Sequence, residues 1–285
     1  MAFDPTPELA ATCARHGIWL HVDAAMSGIG ALAPELRWVN AGLDQADSYC
    51  TNAHKWMGVN FDCDLYWTVD RAALLGALSI LPEYLRSSAA ASGAAIDYRD
   101  WQIPLGRRFR ALKLWFALRL DGVDGTISMV RDHVGWTQWL ADEARRDERF
   151  EVVAPHPLNM VCVRLHAGDS ATDALIEAAN ATGEALFTRT VLDGRTALRF
   201  SIGTSTTRRD HVDAAWRLLQ QLARPVHHSQ SSAGTTGSPT RSAVEACECG
   251  DERIVRVHRD AAGAAHLTNG SVVVTRVHEF LPGAA

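Results

Sequence analysis

Asp23 and Lys55 are the residues whose types and placement best suit chemistry. Asp23 stands directly after the apolar run Ile18 to Val22 (IWLHV), within HVDAA. A carboxylate at the C-terminal end of a buried parallel strand faces the crevice in which α/β sheets bind ligands. Lys55 follows a second short strand pattern, Ser48 to Thr51, after a turn in TNAHKW. With His54 and Trp56 on either side, its amine is expected to be partly stripped of water, which favours the neutral, nucleophilic form. An acid and an amine ending neighbouring strands, with the small residues Ala24, Ala25, Ser27 and Gly28 nearby, can hold a flat cofactor. The same residues have a plainer reading. An aspartate after a strand often caps a turn or helix, and a lysine beside a tryptophan often lies over the ring at the surface. Spacing alone leaves both readings open.

The elements that must position this pair alternate along the chain. Pro7 to His16 carries a one-sided apolar pattern and stops at Gly17, a helix C-terminal glycine. Pro34 to Gly42 reads as helix, Leu65 to Val69 (LYWTV) as a third strand, and Arg71 to Ile80 as helix. Strands alternating with helices predict an α/β layer fold. From Pro82 to Pro104 the regular pattern fails, and a connection of that length inside a compact region is often a lid or binding loop. Arg107 to Leu120 is a strong helix ended by Asp121-Gly122, and a second runs from about Thr126 to Arg146. Strand patterns follow at Phe150 to Val153 and Met160 to Leu165. Ser170 with Asp173 gives a capping-box signal for a helix closed by Gly183. Leu186 to Leu192 and Ala197 to Ile202 flank the turn Asp193-Gly194 as a hairpin, and Arg208 to Ala223 forms a last helix. That order predicts a small α+β unit with helices on one sheet face.

Residues 225 to about 243 are rich in Ser, Thr, Gly and Pro, which is linker chemistry. Arg253 to Phe280 regains β-like alternation, with Asn269-Gly270 as a turn candidate, and reads as an appendage of unknown role. Cys247 and Cys249 with His227 and His228 lack the paired spacing of a metal site, so no metal is expected.

Composition removes several function classes. The 285 residues are 47% hydrophobic and 21% charged, as in a globular protein with a sizeable core. A net charge of −5 argues against a general nucleic-acid binder. The apolar run Ala72 to Pro82 is roughly half the length of a membrane span. The N-terminus shows no signal-peptide pattern. Six scattered cysteines without a framework spacing read as reduced thiols in a cytoplasm.

Four motifs in order, IWLHVDAAMSG, ADSYCTNAHKW, VNFDCD and DYRDWQIPLGRRFRALKLWF, resemble the group II pyridoxal-phosphate-dependent amino-acid decarboxylases, nearest the aromatic-L-amino-acid decarboxylase branch. The resemblance extends to about Ala223. It implies an α/β fold: an incomplete large domain of the aspartate-aminotransferase-like (type I) pyridoxal-phosphate fold, with a small α+β C-terminal domain. Residues 1–110 would belong to the large domain, including a mobile loop at 82–104. Residues 111–224 would form the connecting helices and small domain, and 225–285 the linker and tail.

The resemblance also implies roles. Lys55 matches the lysine that forms the internal aldimine with pyridoxal phosphate. Asp23 matches the carboxylate that keeps the pyridine nitrogen protonated, so that the ring accepts the electrons left by departing carbon dioxide. Ala25 matches the small residue against one ring face. Asn52 and His54 match positions lining the cofactor, Asn52 near the phosphate, and His54 is counted with the catalytic residues. Tyr84 matches the mobile-loop tyrosine that protonates the substrate carbon, serving the neighbouring subunit's site. Arg99 and Arg107 match loop-flanking arginines and read as structural. The implied substrate is a small-molecule amino acid, aromatic among the candidates. The implied assembly is a homodimer, or a pairing with a separate chain that supplies the remaining half, with no nucleic acid and no membrane.

The family's N-terminal arm, phosphate loop and ring-stacking histidine have no counterpart here, so the match is to a C-terminal portion. Ala53 stands where the family usually has proline, and the stretch after Tyr84, RSSAAASGAA, is less polar than in relatives. Alternative expectations are a truncated or split-gene product without catalysis, or an enzyme with the same cofactor that forms aldehydes or transaminates. Tyr84 favours simple decarboxylation.

Overall fold

A computed structural model describes residues 2–79 and 96–223, together with the backbone of three short tail strands at 256–259, 265–268 and 272–275. Tyr84, most of the expected loop, the linker, Cys247, Cys249, His227, His228 and the Asn269-Gly270 turn lie outside the described residues.

The first sheet carries the candidate pair. Strand β1 (Trp19–Asp23) lies parallel to β2 (Ser48–Asn52), with Asp23 opposite Cys50. Asp23 is thus the last residue of its strand, one place earlier than the sequence reading put it. β3 (Asp64–Thr68) returns antiparallel to β2, with Asn52 opposite Asp64. Two faces separate by the strand period of two. Leu20, Val22, Ala24 and Tyr49 pack with Ala10 and Cys13 of helix α1 (Thr6–His16). His21, Asp23, Ser48 and Cys50 share the other face, where Ser48 Oγ accepts from Trp19 Nε1 at 2.8 Å and lies 2.9 Å from His21 Nδ1. Helix α1 stops where expected: Gly17 takes the left-handed conformation (φ 60°) that a side chain would strain.

Between β1 and β2 the expected helix at Pro34 to Gly42 is instead a 3-10 helix, Pro34–Asn40, following another at Gly28–Leu32. None of the side chains of Pro34–Asn40 is fully buried; Leu36 and Val39 rest only partly buried against the neighbouring core, and so short a contact does little to reward regular α winding. Helix α2 (Arg71–Leu78) is capped by Asp70, whose carboxylate accepts from the Ala73 N–H at 3.0 Å. The described part of the irregular stretch holds a short 3-10 turn, Tyr98–Trp101, where Arg99 pairs with Asp97 at 2.9 Å.

The two helices expected after it are both present within the span α3 (Arg110–Arg146), which a kink at the non-helical Gly122 (φ 66°, ψ 179°) divides in two. Asp121-Gly122 ends the first winding where the sequence placed a helix end. Thr126 Oγ1 donates to the Gly122 carbonyl at 2.8 Å and steadies the break. The second half of α3 lies over an antiparallel sheet of order β4-β5-β7-β6: β4 (Phe150–Val152), β5 (Met160–Leu165), β6 (Thr188–Leu192) and β7 (Arg195–Ser201). Helices α4 (Asp169–Ala181) and α5 (Arg209–Leu222) share its core, in which Val161, Leu198, Phe200, Trp216 and Leu219 are buried. The capping box expected at Ser170 is absent. The helix starts after Gly168 without a side-chain cap, and Asp173 instead pairs with Arg189 at 2.7 Å. In the tail, β8 (Arg256–Arg259) pairs antiparallel with β9 (Ala265–Thr268), and β10 (Val272–Thr275) lies antiparallel to β1.

Candidate active site

The site gathers where β1 and β2 end. Asp23 closes β1, and its Oδ1 accepts from the Ala25 N–H at 2.8 Å. The Ala24 N–H donates to Cys50 O and the Asn52 N–H to Ala25 O, each at 3.0 Å, so the two strand ends are stitched together beyond the ladder. Gly28 makes the return possible: a Cβ there would stand 2.1 Å from the Tyr49 hydroxyl and 2.6 Å from Thr51 Oγ1. Only glycine lets this backbone approach β2 so closely.

Lys55 sits in the turn leaving β2. Its N–H donates to Asn52 O at 3.0 Å, and Gly58 N–H donates to Lys55 O at 3.2 Å. The expected burial of Lys55 between its neighbours does not occur. Lys55 is exposed, because Trp56 turns the opposite way, into the core, where its exposure is 0%. His54 stays at the rim. Its Nδ1 accepts from the Cys63 N–H at 2.9 Å, so in the neutral ring the proton sits on Nε2. That nitrogen lies 3.3 Å from the Asn52 amide, and Phe61 meets the imidazole edge-on at 4.8 Å. Sequence reasoning placed Asn52 and His54 in one site, and the structure brings them into contact.

Two further residues belong to this cluster. Cys50, opposite Asp23, has its Sγ 3.6 Å from Asp23 Oδ1. Burial pushes its thiol up to about 12, and the charges of Asp23 and Asp64 add to the effect while Lys55 opposes it. Asp64 is also raised, first by loss of solvent and then by Asp23, with His54 and Lys55 acting against the shift. Motif wording could have drawn notice to Asp64, which stands in VNFDCD. Cys50 stands likewise in ADSYCTNAHKW, but its place beside Asp23 follows from strand register, which the motif does not state.

The result is a carboxylate and a primary amine close enough to act on the same thiol, in a field made negative by Asp23 and Asp64. Such a field favours a proton on a basic ring nitrogen, and an exposed amine suits an aldehyde cofactor. The residues present therefore fit pyridoxal phosphate. Among the described residues no group of three or more His, Cys, Asp or Glu could hold a metal ion, and no helix is long and apolar enough to cross a membrane.

Asp23 at the end of β1 and Lys55 in the turn that leaves the adjacent parallel β2 stand at one edge of an α/β sheet, an arrangement that suits a carbonyl cofactor. The comparisons carry that class to a family. Residues 1–166 match the pyridoxal-dependent decarboxylase conserved domain. Tryptophan decarboxylase 2 of Oryza sativa subsp. japonica is 42% identical over 232 residues, covering 79% of this chain and 47% of the relative. The aromatic-L-amino-acid decarboxylase of Bos taurus is 41% identical over 229 residues, covering 80% and 47%. The crystal structure of Oryza sativa TDC with PLP and tryptamine superposes with a TM-score of 0.74 at 38% identity, covering 78% of this chain and 48% of that one. The chain belongs to the pyridoxal-dependent decarboxylase family, whose cofactor is pyridoxal phosphate. It spans about half the length of the curated relatives it matches.

Proposed function

We propose that this chain supplies the lysine and carboxylate of a pyridoxal-phosphate-dependent carboxy-lyase that converts an amino acid, aromatic by preference, to its amine. The observation that carries the reading is the placement of Asp23 at the end of β1 and Lys55 in the turn after the parallel β2, with both charges felt at Cys50. When bound, pyridoxal phosphate supplies an electron-accepting ring. Asp23 holds the proton on the ring nitrogen. Ala25 leaves room beside one face of the ring. His54 and Asn52, fixed by their mutual contact and by Cys63, line the cofactor, with Asn52 on the phosphate side. Lys55 carries the cofactor and takes and returns protons at its amine. Tyr84 donates the proton to the substrate carbon, which favours amine over aldehyde as product.

The assembly is proposed to be larger than this chain. Phe109, Leu112, Trp115, Phe116, Leu120 and Val123 are all exposed around the first half of α3, and such a concentration of apolar surface marks a protein interface. The reading is that a second subunit, or a chain that carries the remaining half of the fold, covers it and completes the site. The domain division is proposed as a partial large domain at 1–110, the helices and small domain at 111–224, and the tail at 225–285. The location is proposed as cytoplasmic.

The test is the absorption spectrum of the purified chain after incubation with pyridoxal phosphate and removal of excess, with Lys55→Ala alongside. A Lys55-dependent band followed by release of carbon dioxide from tryptophan or tyrosine supports the reading. A folded sample with no such band, also after co-expression with the other half of a relative, rejects it.

A further inference from the structure

We infer that His133 is a positioning residue for Lys55, acting through the buried hydrogen bond it accepts from Trp56. The inference rests on the proposed role of Lys55 and adds a residue to it. Trp56 is next to Lys55 in the chain, yet the two side chains part, one to solvent and one to the core. An indole has a single polar hydrogen, and burying it without an acceptor is costly. Here Nε1 donates to His133 Nδ1 at 3.0 Å, across 77 residues of sequence, with His133 itself only 1% exposed. Accepting at Nδ1 requires the neutral ring with its proton on Nε2. Burial keeps it so by pushing the imidazole below its ordinary value, against the pull of Asp132.

The indole is closely surrounded. A Cβ at Gly30 would already stand 3.4 Å from Trp56 Cζ3, and Val130 and Leu158 share the same buried cluster. His133 is held in turn by α3 and by Trp136, whose ring lies 5.3 Å away. The backbone ties of the Lys55 turn are local or reach one neighbouring loop: His54 N–H to Cys63 O, Lys55 N–H to Asn52 O, Gly58 N–H to Lys55 O, and Val59 N–H to Ala53 O. A tryptophan pinned to α3 one residue further on is what fixes the direction in which Lys55 leaves the backbone. His133 is buried against Trp56 while Lys55 is exposed, so its action on Lys55 is through geometry.

The chain contains two lysines, Lys55 and Lys113, which gives the test an internal control. In the full chain, amide hydrogen exchange at Lys55, Gly58 and Val59 is followed in wild type, His133→Leu, His133→Asn, Trp56→Phe and the double variant Trp56→Phe/His133→Leu. Borohydride trapping of pyridoxal phosphate on Lys55 is measured relative to Lys113 in the same samples. His133→Leu is expected to speed exchange at the three turn amides and to lower the Lys55-to-Lys113 trapping ratio several-fold, with amides at Val161 and Val163 unmoved. His133→Asn, which keeps an acceptor, is expected to restore most of both. The double variant leaves neither partner unpaired and is expected to recover stability but not the wild-type turn. Unchanged turn exchange in folded His133→Leu overturns the inference. Where that variant does not fold, unchanged exchange in both Trp56→Phe and the double variant overturns it equally. Wild type that traps no cofactor on Lys55, while turn exchange responds as expected, rejects the functional reading and leaves the positioning role standing.

Discussion

Arg110 and Asp62 form a two-pronged ion pair, Nε to Oδ1 and Nη2 to Oδ2, both at 2.8 Å. The pair ties the first turn of α3 to the loop between the Lys55 turn and β3. Lys113, one turn on, adds a bond from Nζ to Asn60 O at 2.8 Å. Between these anchors sits Phe61, edge-on to His54. The helix that follows the irregular stretch is therefore coupled through one loop to His54, the histidine proposed to line the cofactor.

The first prediction concerns that coupling. Arg110→Ala is expected to weaken pyridoxal phosphate affinity several-fold while lowering the melting temperature only slightly, since the pair is open to solvent and such pairs contribute little to stability. Arg110→Lys cannot reproduce the fork and is expected to fall between. Cofactor titration and a thermal melt on the same samples check this. Equal loss in both measurements would mean that the pair serves folding alone.

Asp23→Asn keeps a hydrogen-bond acceptor for the Ala25 N–H but removes the charge. Two changes are expected. Decarboxylation by the assembled enzyme should fall on the order of 100-fold, the scale of a lost electrostatic partner. The Cys50 thiol should titrate below its present value of about 12, since Asp23 raises it both by charge and by hydrogen bond. Ultraviolet thiolate absorbance or pH-dependent alkylation of Cys50 reads the second effect without any cofactor. A thiol that does not move would place Asp23 too far from Cys50 for the geometry described.

The pairing of Asp23 with the Lys55 strand was legible because a buried apolar run and a turn after a strand are local signals. The exposure of Lys55 was not. It depends on which way Trp56 turns, and that is decided by His133, far along the chain. Asp121-Gly122 signalled a helix break correctly, because the positive-φ glycine that ends the first winding is a local property. Ser170 and Asp173 had capping chemistry, yet Arg189 on a neighbouring strand claims Asp173. At Lys55 and at Asp173 the local preference was outweighed by a partner distant in sequence.

Gly28→Ala tests the close approach of the two strand ends. The added methyl would fall 2.1 Å from the Tyr49 hydroxyl, and Thr51 Oγ1 blocks the nearest alternative at 2.6 Å. Overpacking of this kind costs about 1–3 kcal/mol. Urea denaturation is expected to show that loss, and Tyr49→Phe in the same background to recover part of it. A variant as stable as wild type would show that the Gly28 turn relaxes freely.

Acid sensitivity follows from the buried imidazoles. Burial pushes His133 and His21 below the ordinary histidine value of 6.5, opposed in part by Asp132 and Asp23 respectively. In the unfolded chain both rings take a proton near 6.5, while in the folded protein they take it only at lower pH. The unfolded state therefore binds more protons in that window, and stability that is full above about 6.5 is lost as pH falls toward the folded values. Carboxylates held low by arginines act elsewhere. Asp147, held at about 2 chiefly by Arg149 from an ordinary 3.8, loses its contribution only in stronger acid. The urea midpoint is thus expected to fall between about pH 7 and pH 5, and His133→Asn, which does not titrate, should flatten part of that slope. An unaltered slope in His133→Asn would assign the acid response to His21 or to other groups, and the Trp56 hydrogen bond would then persist through the same range.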